Sequence, residues 1–278
     1  MEHFNEQKEQ RLSAEKWKRA TLADNFIFCK VMSTNLDLCK ELLEMLLHIK
    51  IEKIKMAESE KTSQTDFSSK GVRFDVYIKD ETNRCFDLEM QTVSRRDLQK
   101  RARYYQAIMD IDSLEHGQTY TSLNDNYVIF LCLDDIFKQG LPVYSFENVC
   151  KENSKITLND RTYKVFFNAK EYDKMPDRNL REFFQYLYEN KKSDSKFIND
   201  IDSKVKFVRT DVNYRRQCMT LEQEILLARE EERDEQMTQT AERMLKMNFE
   251  PEKIAIITGL PIEHILKMQD ELKTVPAQ

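Results

Sequence analysis

Two carboxylates and a carboxamide, Asp75, Glu89 and Gln91, lie within one short stretch of this chain and could together perform metal chemistry. Carboxylate and amide oxygens are ligands that Mg²⁺ and Mn²⁺ prefer in proteins. A cation held by carboxylates can activate water and stabilise phosphoryl transfer. The residue types therefore suggest metal-assisted hydrolysis at phosphorus, provided that the fold brings the three side chains together.

A β-hairpin would bring them together. Residues 72–79 and 85–91 both alternate with period two, as strands do, and Asp80 to Asn83 suit a tight turn. If Lys79 pairs with Cys85, Asp75 falls opposite Glu89. One face would then be apolar (Val72, Phe74, Val76, Ile78, Phe86, Leu88, Met90) and the other polar (Asp75, Asp87, Glu89, Gln91). The alternative reading of the polar face is an ordinary solvent-exposed hairpin surface.

A basic cluster follows directly on the second strand: Arg95, Arg96, Lys100, Arg101 and Arg103. The whole chain carries a net charge of −5, so any attraction to nucleic acid must come from such a local patch. We expect Arg96, Lys100, Arg101 and Arg103 to contact the phosphate backbone of DNA. The alternative is a solvated helix end.

The order of these elements resembles the PD-(D/E)XK nuclease superfamily, with Asp75 as the first acid and Glu89-Met90-Gln91 as the second motif. More narrowly it resembles the branch called recombination-promoting nucleases or transposases, in which glutamine commonly replaces the lysine. The resemblance extends from the helix at Asp24 to Met32, through Lys100 to Tyr105, to the apolar strand at Tyr127. It covers roughly residues 20–215.

The resemblance implies a restriction-endonuclease-like α/β core, with a mixed central sheet flanked by helices. It also implies a Mg²⁺- or Mn²⁺-dependent DNA endonuclease in a bacterial, recombination-linked setting. Asp75, Glu89 and Gln91 would be catalytic. Asp75 and Glu89 would bind the metal, with a helix acid completing the site, for which Glu44 is preferred over Glu41. Gln91 brings no charge, so Lys100 or Arg101 is expected to supply it.

The remaining pattern predicts the elements around the hairpin. Helices are expected at 22–48, where Thr34 or Asn35 could cap a second segment, at 97–116 ending near Gly117, at 177–190, and over 197–229 with a break. Strands are expected at 51–56, 127–133, 142–149 and 163–168, with 127–133 central because it is apolar throughout. Residues 1–18 form a charged tail, 19–220 the nuclease-like domain, and 221–278 a helical extension.

The extension ends in a helix pair. Pro251 and Pro261 suit helix starts and Gly259 a helix stop, and the pair's apolar side is expected to comprise Ile254, Ile257, Ile262, Ile265 and Leu266. Such a pair could enter a DNA groove, but it lacks a dense basic face. A dimerisation element, a partner-docking element or a lid are the alternatives.

Composition favours a reduced, cytoplasmic protein that does not enter a membrane. The 6 cysteines show no C-x-x-C spacing, and no apolar run approaches the length of a membrane span. Gly-rich phosphate loops and G-x-S-x-G elements are absent from the sequence, which disfavours common nucleotide and serine hydrolysis. The rival to a nuclease is a non-catalytic nucleic-acid- or protein-binding module on a degenerate nuclease scaffold. Cutting both DNA strands requires two active sites or two visits of one active site, so a homodimer is one alternative for the oligomeric state.

Overall fold

A six-stranded mixed sheet forms the centre of the computed structural model, which describes residues 15–63, 71–93 and 96–274, the side chains of 222–232 and 273–274 excepted. The strands are β1 (Ile54–Ser59), β2 (Thr62–Ser63), β3 (Val72–Arg73), β4 (Val76–Asp80), β5 (Cys85–Gln91), β6 (Asn126–Cys132), β7 (Val143–Phe146) and β8 (Thr162–Asn168). The helices are α1 (Asn25–Thr34), α2 (Leu36–Leu47), α3 (Leu98–Ser113), α4 (Arg178–Glu189), α5 (Lys196–Thr210), α6 (Val212–Lys246), α7 (Pro251–Thr258) and α8 (Ile262–Thr274).

The sheet order is β1-β4-β5-β6-β8-β7. Strands β1, β4 and β5 are antiparallel neighbours, β5, β6 and β8 run parallel, and β7 returns antiparallel to β8. The predicted mixed α/β sheet is therefore confirmed, and the apolar segment after Asp125 is a central strand, β6. Among the described residues, β2 and β3 pair with each other in a small separate ladder.

The hairpin register is the predicted one, with Lys79 opposite Cys85 and Val76 opposite Leu88. The turn is held by the buried Asp80, whose Oδ2 accepts a 2.6 Å bond from Arg84 Nε. The assignment of Val72 and Phe74 to the face of Val76 was wrong. The strand breaks between β3 and β4, and this break turns Val72 and Phe74 to the opposite face, where they pack with Tyr77.

Helices cover both faces of the sheet. Helix α3 buries Leu98, Ala102, Ile108 and Met109 against the face that carries Cys85 and Phe130. Helix α4 packs on the other face, where Phe184 stacks on Phe167 with ring centroids 5.2 Å apart.

Two predicted helix divisions are confirmed, and the predicted end of the helix after β5 is corrected. The predicted helix at 22–48 is two helices, α1 and α2, which divide at Asn35 because the Asn35 side chain donates to Val31 O at 2.8 Å and closes the first. Helix α3 ends at Ser113, before the positive-φ Gly117. The predicted break after residue 197 lies at Asp211, between α5 and α6.

The chain divides into two compact units, Met1–Arg215 and Arg216–Gln278, where the sequence placed a boundary at 220/221. The second unit has a small core of Ala241, Leu245, Ile254 and Ile265. The predicted apolar side of the helix pair was wrong for Ile257, Ile262 and Leu266, which are exposed because Ile254 and Ile265 alone of that set face Ala241 and Leu245. Within the described residues, no helix is both long enough and apolar enough to cross a membrane. The six cysteines all lie in the described part of the chain, and none of them forms a disulfide.

Candidate active site

Asp75 and Glu89 are hydrogen-bonded to each other's strands across the point where β4 and β5 separate, and we call this pair the acid clasp. Asp75 lies in the bend before β4, and its backbone N–H donates to Glu89 Oε1 at 2.8 Å. In return Met90 N–H donates to Asp75 Oδ2 at 2.9 Å. The two carboxylates therefore replace ladder hydrogen bonds at the strand break, which fixes both side chains at the position that the hairpin register predicts.

Strand β5 is buried along its whole length, so the polar side chains of the hairpin do not form a solvent-exposed face. Asp87 and Glu89 are 0% and 1% exposed, beneath α3. Among the described residues no N–H or hydroxyl group donates to the Asp87 carboxyl, whose hydrogen-bond partner is the carboxyl of Glu89. Burying acids costs stability, and acids with perturbed pKa values are concentrated at functional sites, so this cluster is the candidate active site.

Arg101 on α3 is the cation of the site. Its Nη2 lies 2.5 Å from Glu89 Oε2, and its guanidinium covers the ring of Phe130 at 5.3 Å. Burial lowers the pKa of Arg101, but the charge and hydrogen bond of Glu89, together with Tyr105 and Asp75, outweigh burial and raise the pKa above its ordinary value. Of the two basic residues expected to compensate for the missing lysine, Arg101 is therefore the one that reaches the acids.

Gln91 closes the site at the end of β5. Its Nε2 donates to Val93 O, and its Oε1 accepts a long 3.4 Å hydrogen bond from Arg101 Nη1. The amide orientation is thus set by one carbonyl and one guanidinium, and the carboxamide oxygen faces the same arginine as Glu89.

The three acids are held with raised pKa values. Burial, reinforced by the charge of Asp75, raises the pKa of Glu89 to about 7. Burial also raises the pKa of Asp75, against hydrogen bonds from Met90 N–H and Asn25. The pKa of Asp87 lies well above its ordinary value because of burial and the neighbouring charge of Glu89. One guanidinium therefore does not neutralise the cluster.

This donor set suits a hard divalent cation. Each oxygen of Asp75 and Glu89 accepts one hydrogen bond from an N–H group and keeps further acceptor capacity, and among the described residues no N–H group donates to Asp87. A cation would supply the charge that Arg101 alone does not. In the part of the chain that the structure describes, no group of three or more His, Cys, Asp or Glu side chains is already arranged as a metal site. The fit therefore rests on the chemistry of Asp75 and Glu89.

The other predicted site residues lie in different surroundings. Glu44 is not joined to the acid pair by any hydrogen bond or ion pair between described residues, and its Oε1 accepts from Ile51 N–H at 2.8 Å. Glu41 carries a raised pKa because of burial and the charge of Asp200 on α5. Three of the basic residues are exposed, as phosphate contacts require: Arg96, Lys100 and Arg103. Arg95 lies outside the described residues, as do residues 1–14 of the predicted tail.

Asn25 is a site residue that the sequence analysis missed. It is the first residue of α1, is exposed, and its Nδ2 donates to Asp75 Oδ1 at 3.0 Å. The opening helix therefore does contribute to the site, but with an amide at its start instead of the acid expected further along. The sequence does indicate the start of a helix at Asp24-Asn25, because an aspartate is a common N-cap, and in the structure Asp24 Oδ1 accepts a hydrogen bond from Ile27 N–H.

Comparison with known proteins identifies one family. The sequence model of a family described as PD-(D/E)XK nuclease family transposase matches residues 23–258. No curated protein and no solved structure shows a significant match. The matched range includes both acids of the clasp, Asp75 and Glu89, and also Asn25 and Arg101, which contact them.

Proposed function

Because the chain belongs to the PD-(D/E)XK nuclease family of transposases, we propose that it is a Mg²⁺- or Mn²⁺-dependent DNA endonuclease that hydrolyses phosphodiester bonds. Nucleases of this superfamily generally use divalent metal ions, which agrees with the oxygen donors of the site. The observation that carries the proposal is the pairing of half-buried Asp75 with buried Glu89 beside buried Asp87, since only Glu89 of these three acids forms an ion pair with Arg101 among the described residues.

In this proposal Asp75 and Glu89 would hold the cation through the lone pairs that their present hydrogen bonds leave. When bound, the cation lowers the pKa of a water molecule and neutralises charge on the phosphate. Asn25 keeps the Asp75 carboxylate oriented from the exposed side of the site. The ordinary lysine of the motif is absent, so Gln91 positions water through its amide without contributing charge.

In this proposal Arg101 supplies the positive charge that the lysine of the motif would otherwise provide. A guanidinium fixed by Glu89, Gln91 and the face of Phe130 needs little reorganisation to stabilise negative charge that develops on a phosphate. Exposed Arg96, Lys100 and Arg103 hold the flanking backbone of the DNA as sequence-independent contacts. Cleavage is therefore proposed as hydrolysis at a phosphate bound between the acid clasp and α3.

Cleavage of supercoiled plasmid at low salt with Mg²⁺ or Mn²⁺ tests the proposal. The wild-type protein should nick or linearise the plasmid, and Glu89→Gln should abolish cutting. The matched control is Glu58→Gln, because Glu58 is exposed on β1, and it should cut like the wild type. Equal cutting by wild-type protein and Glu89→Gln would exclude the proposed role of Glu89.

The second candidate function is a non-catalytic binding module on a nuclease scaffold. The 2.5 Å ion pair between Arg101 and Glu89 favours it, because that pair occupies a carboxylate that a cation would need. A binding module would retain DNA without cutting it in either metal. The Glu89→Gln variant of a binding module would bind DNA as well as the wild type, and neither protein would cut it. For a metal-dependent nuclease, the wild type would cut DNA and the Glu89→Gln variant would not.

A further inference from the structure

A cleft of about 580 Å³ opens beside the acid clasp, between α3 and the strands β7 and β8. Helix α3 contributes Arg103 and Gln106 to it, and β8 contributes Lys164 and Phe166. Its volume is that of a site for a small organic group. None of the roles proposed above for the acids or for Arg101 uses this cleft.

Strand register places the cleft close to the acids. Asp87 on β5 pairs with Val128 on β6, and Val128 pairs with Lys164 on β8. Glu89 is connected in the same way, through Phe130 on β6, to Phe166 on β8. Neighbouring strands are about 4.8 Å apart, so each acid backbone lies about 10 Å from the floor of the cleft. A nucleic-acid strand covers this distance in about three nucleotides at the rise of a duplex, and in fewer nucleotides when it is extended.

The polar wall of the cleft presents donors. Gln106 is 6% exposed, its Oε1 accepts from Lys164 Nζ, and its Nε2 has no acceptor among the described residues. A buried donor without an acceptor is costly, so it points to an acceptor that a ligand would bring. Lys164 and Arg103 add further donors beside it.

Two acids of the cleft are already engaged. Asp110 accepts from Asn126, and Asp160 accepts from Asn148 and Thr162. With these carboxylates nearby, a phosphate is disfavoured inside the cleft, and an uncharged ligand with acceptor atoms is preferred.

The apolar wall of the cleft is aromatic. Phe137, Phe146 and Phe166 lie with ring centroids 5.2 to 5.8 Å apart. Phe146, on the edge strand β7, is 45% exposed, although it lies beside two other rings. Flat rings beside hydrogen-bond donors match a nucleobase, which has a π-face and acceptors on its edge.

We propose that this cleft holds one unstacked base of the nucleic-acid strand whose phosphate lies at Asp75 and Glu89. Phe146 stacks on the base, and Gln106 and Lys164 donate to its edge. The inference rests on the proposed nuclease function for the position of the strand. It adds a preference for single-stranded or locally opened substrate, because a paired base cannot enter the cleft.

Binding of single strands with and without bases tests this inference. The probes are a fluorescein-labelled oligothymidylate of about 12 nucleotides, a length within the range of single-strand sites, and an oligomer of equal length with abasic residues throughout. Affinity is measured by fluorescence anisotropy with Ca²⁺ in place of Mg²⁺. The variants are Phe146→Ala and Gln106→Leu, with Phe207→Ala as matched control, because Phe207 is 57% exposed on α5.

The wild type should prefer the thymidylate, and Phe146→Ala should weaken its binding about 10-fold, as loss of one stacked base does. Gln106→Leu should weaken it in the same direction, whereas Phe207→Ala should not. Binding of the abasic oligomer should be the same for all four proteins. The inference is overturned if the wild type does not distinguish the two oligomers, or if Phe146→Ala binds the thymidylate like the wild type.

Plasmid cleavage separates this inference from the proposed function. A wild-type protein that cuts plasmid while Phe146→Ala keeps full affinity for the thymidylate overturns the base-binding cleft alone. Base-dependent binding that Phe146→Ala removes, in a protein that never cuts, supports the cleft and overturns the nuclease proposal alone.

Discussion

Replacing Glu89 with glutamine should change how the stability of the protein depends on pH. Glu89 has a pKa of about 7 in the folded chain, against an ordinary value of 4.5. Between these two pH values the folded state holds a proton that the unfolded state has released, so stability falls as pH rises through this window. The two pKa values differ by roughly 2.5, and one pKa unit corresponds to about 1.4 kcal/mol, so Glu89 removes at most about 3 kcal/mol between pH 4.5 and pH 7.

The assay is urea unfolding in EDTA at several pH values from about 5 to 8. Trp17 is the only tryptophan, is buried, and donates from Nε1 to Arg209 O at 2.8 Å, so its fluorescence reports unfolding of the first unit. The free energy of unfolding of wild type minus that of Glu89→Gln should decrease by about 1 to 3 kcal/mol across this range. The difference between the two proteins removes the contributions of titrating groups that do not interact with Glu89, and it keeps those of Asp75 and Asp87, which do.

Two results would refute this reasoning. A difference that stays constant with pH would mean that Glu89 ionises normally in the folded chain. A difference that increases with pH would mean that Arg101 lowers the pKa of Glu89 below 4.5, so that ion pairing outweighs burial.

Further changes probe the same site. Arg101→Met should destabilise the protein by about 3 kcal/mol or more at pH 8, where it leaves buried carboxylates without their cation, and by less at pH 5, where Glu89 is protonated; an equal urea-unfolding cost at both pH values would contradict this. Asn25→Ala should cost about 1 kcal/mol by the same assay and slow plasmid cutting, because it removes the hydrogen bond to Asp75; an unchanged cutting rate would remove Asn25 from the site. Phe130→Ala should cost about 3–5 kcal/mol, since a fully buried ring between Arg101 and Phe166 is lost; a cost below about 1 kcal/mol would mean that the core refills.

The hairpin was predictable because its constraints are local. Period-two alternation and a polar turn set the pairing of Lys79 with Cys85, and that pairing alone brings Asp75 to Glu89. The break between β3 and β4 was not predictable from alternation, because it depends on Asp75 using its side chain in place of a ladder bond. For that reason the faces of Val72 and Phe74 were misassigned.

Burial of the acids could not be inferred from the hairpin either. The alternation predicts a polar face at Asp87 and Glu89, but α3 folds back over β5 and covers them, and strand alternation does not encode that packing. The partner of Asp75 on the opening helix was missed for a similar reason. The family resemblance implies a helix acid, and the candidate acids lie on α2, whereas the start of α1 supplies an amide, Asn25.

Titration of Mn²⁺ into metal-free protein, followed by the loss of its free-ion electron paramagnetic resonance signal, tests the metal site most directly. The wild type should bind Mn²⁺, and Asp75→Asn should weaken that binding at least about 10-fold, because one of two carboxylate ligands becomes neutral. Asp37→Asn, at the start of α2, is the matched control and should bind like the wild type. Equal Mn²⁺ affinity in wild type and Asp75→Asn would contradict a metal-dependent nuclease built on the Asp75–Glu89 clasp.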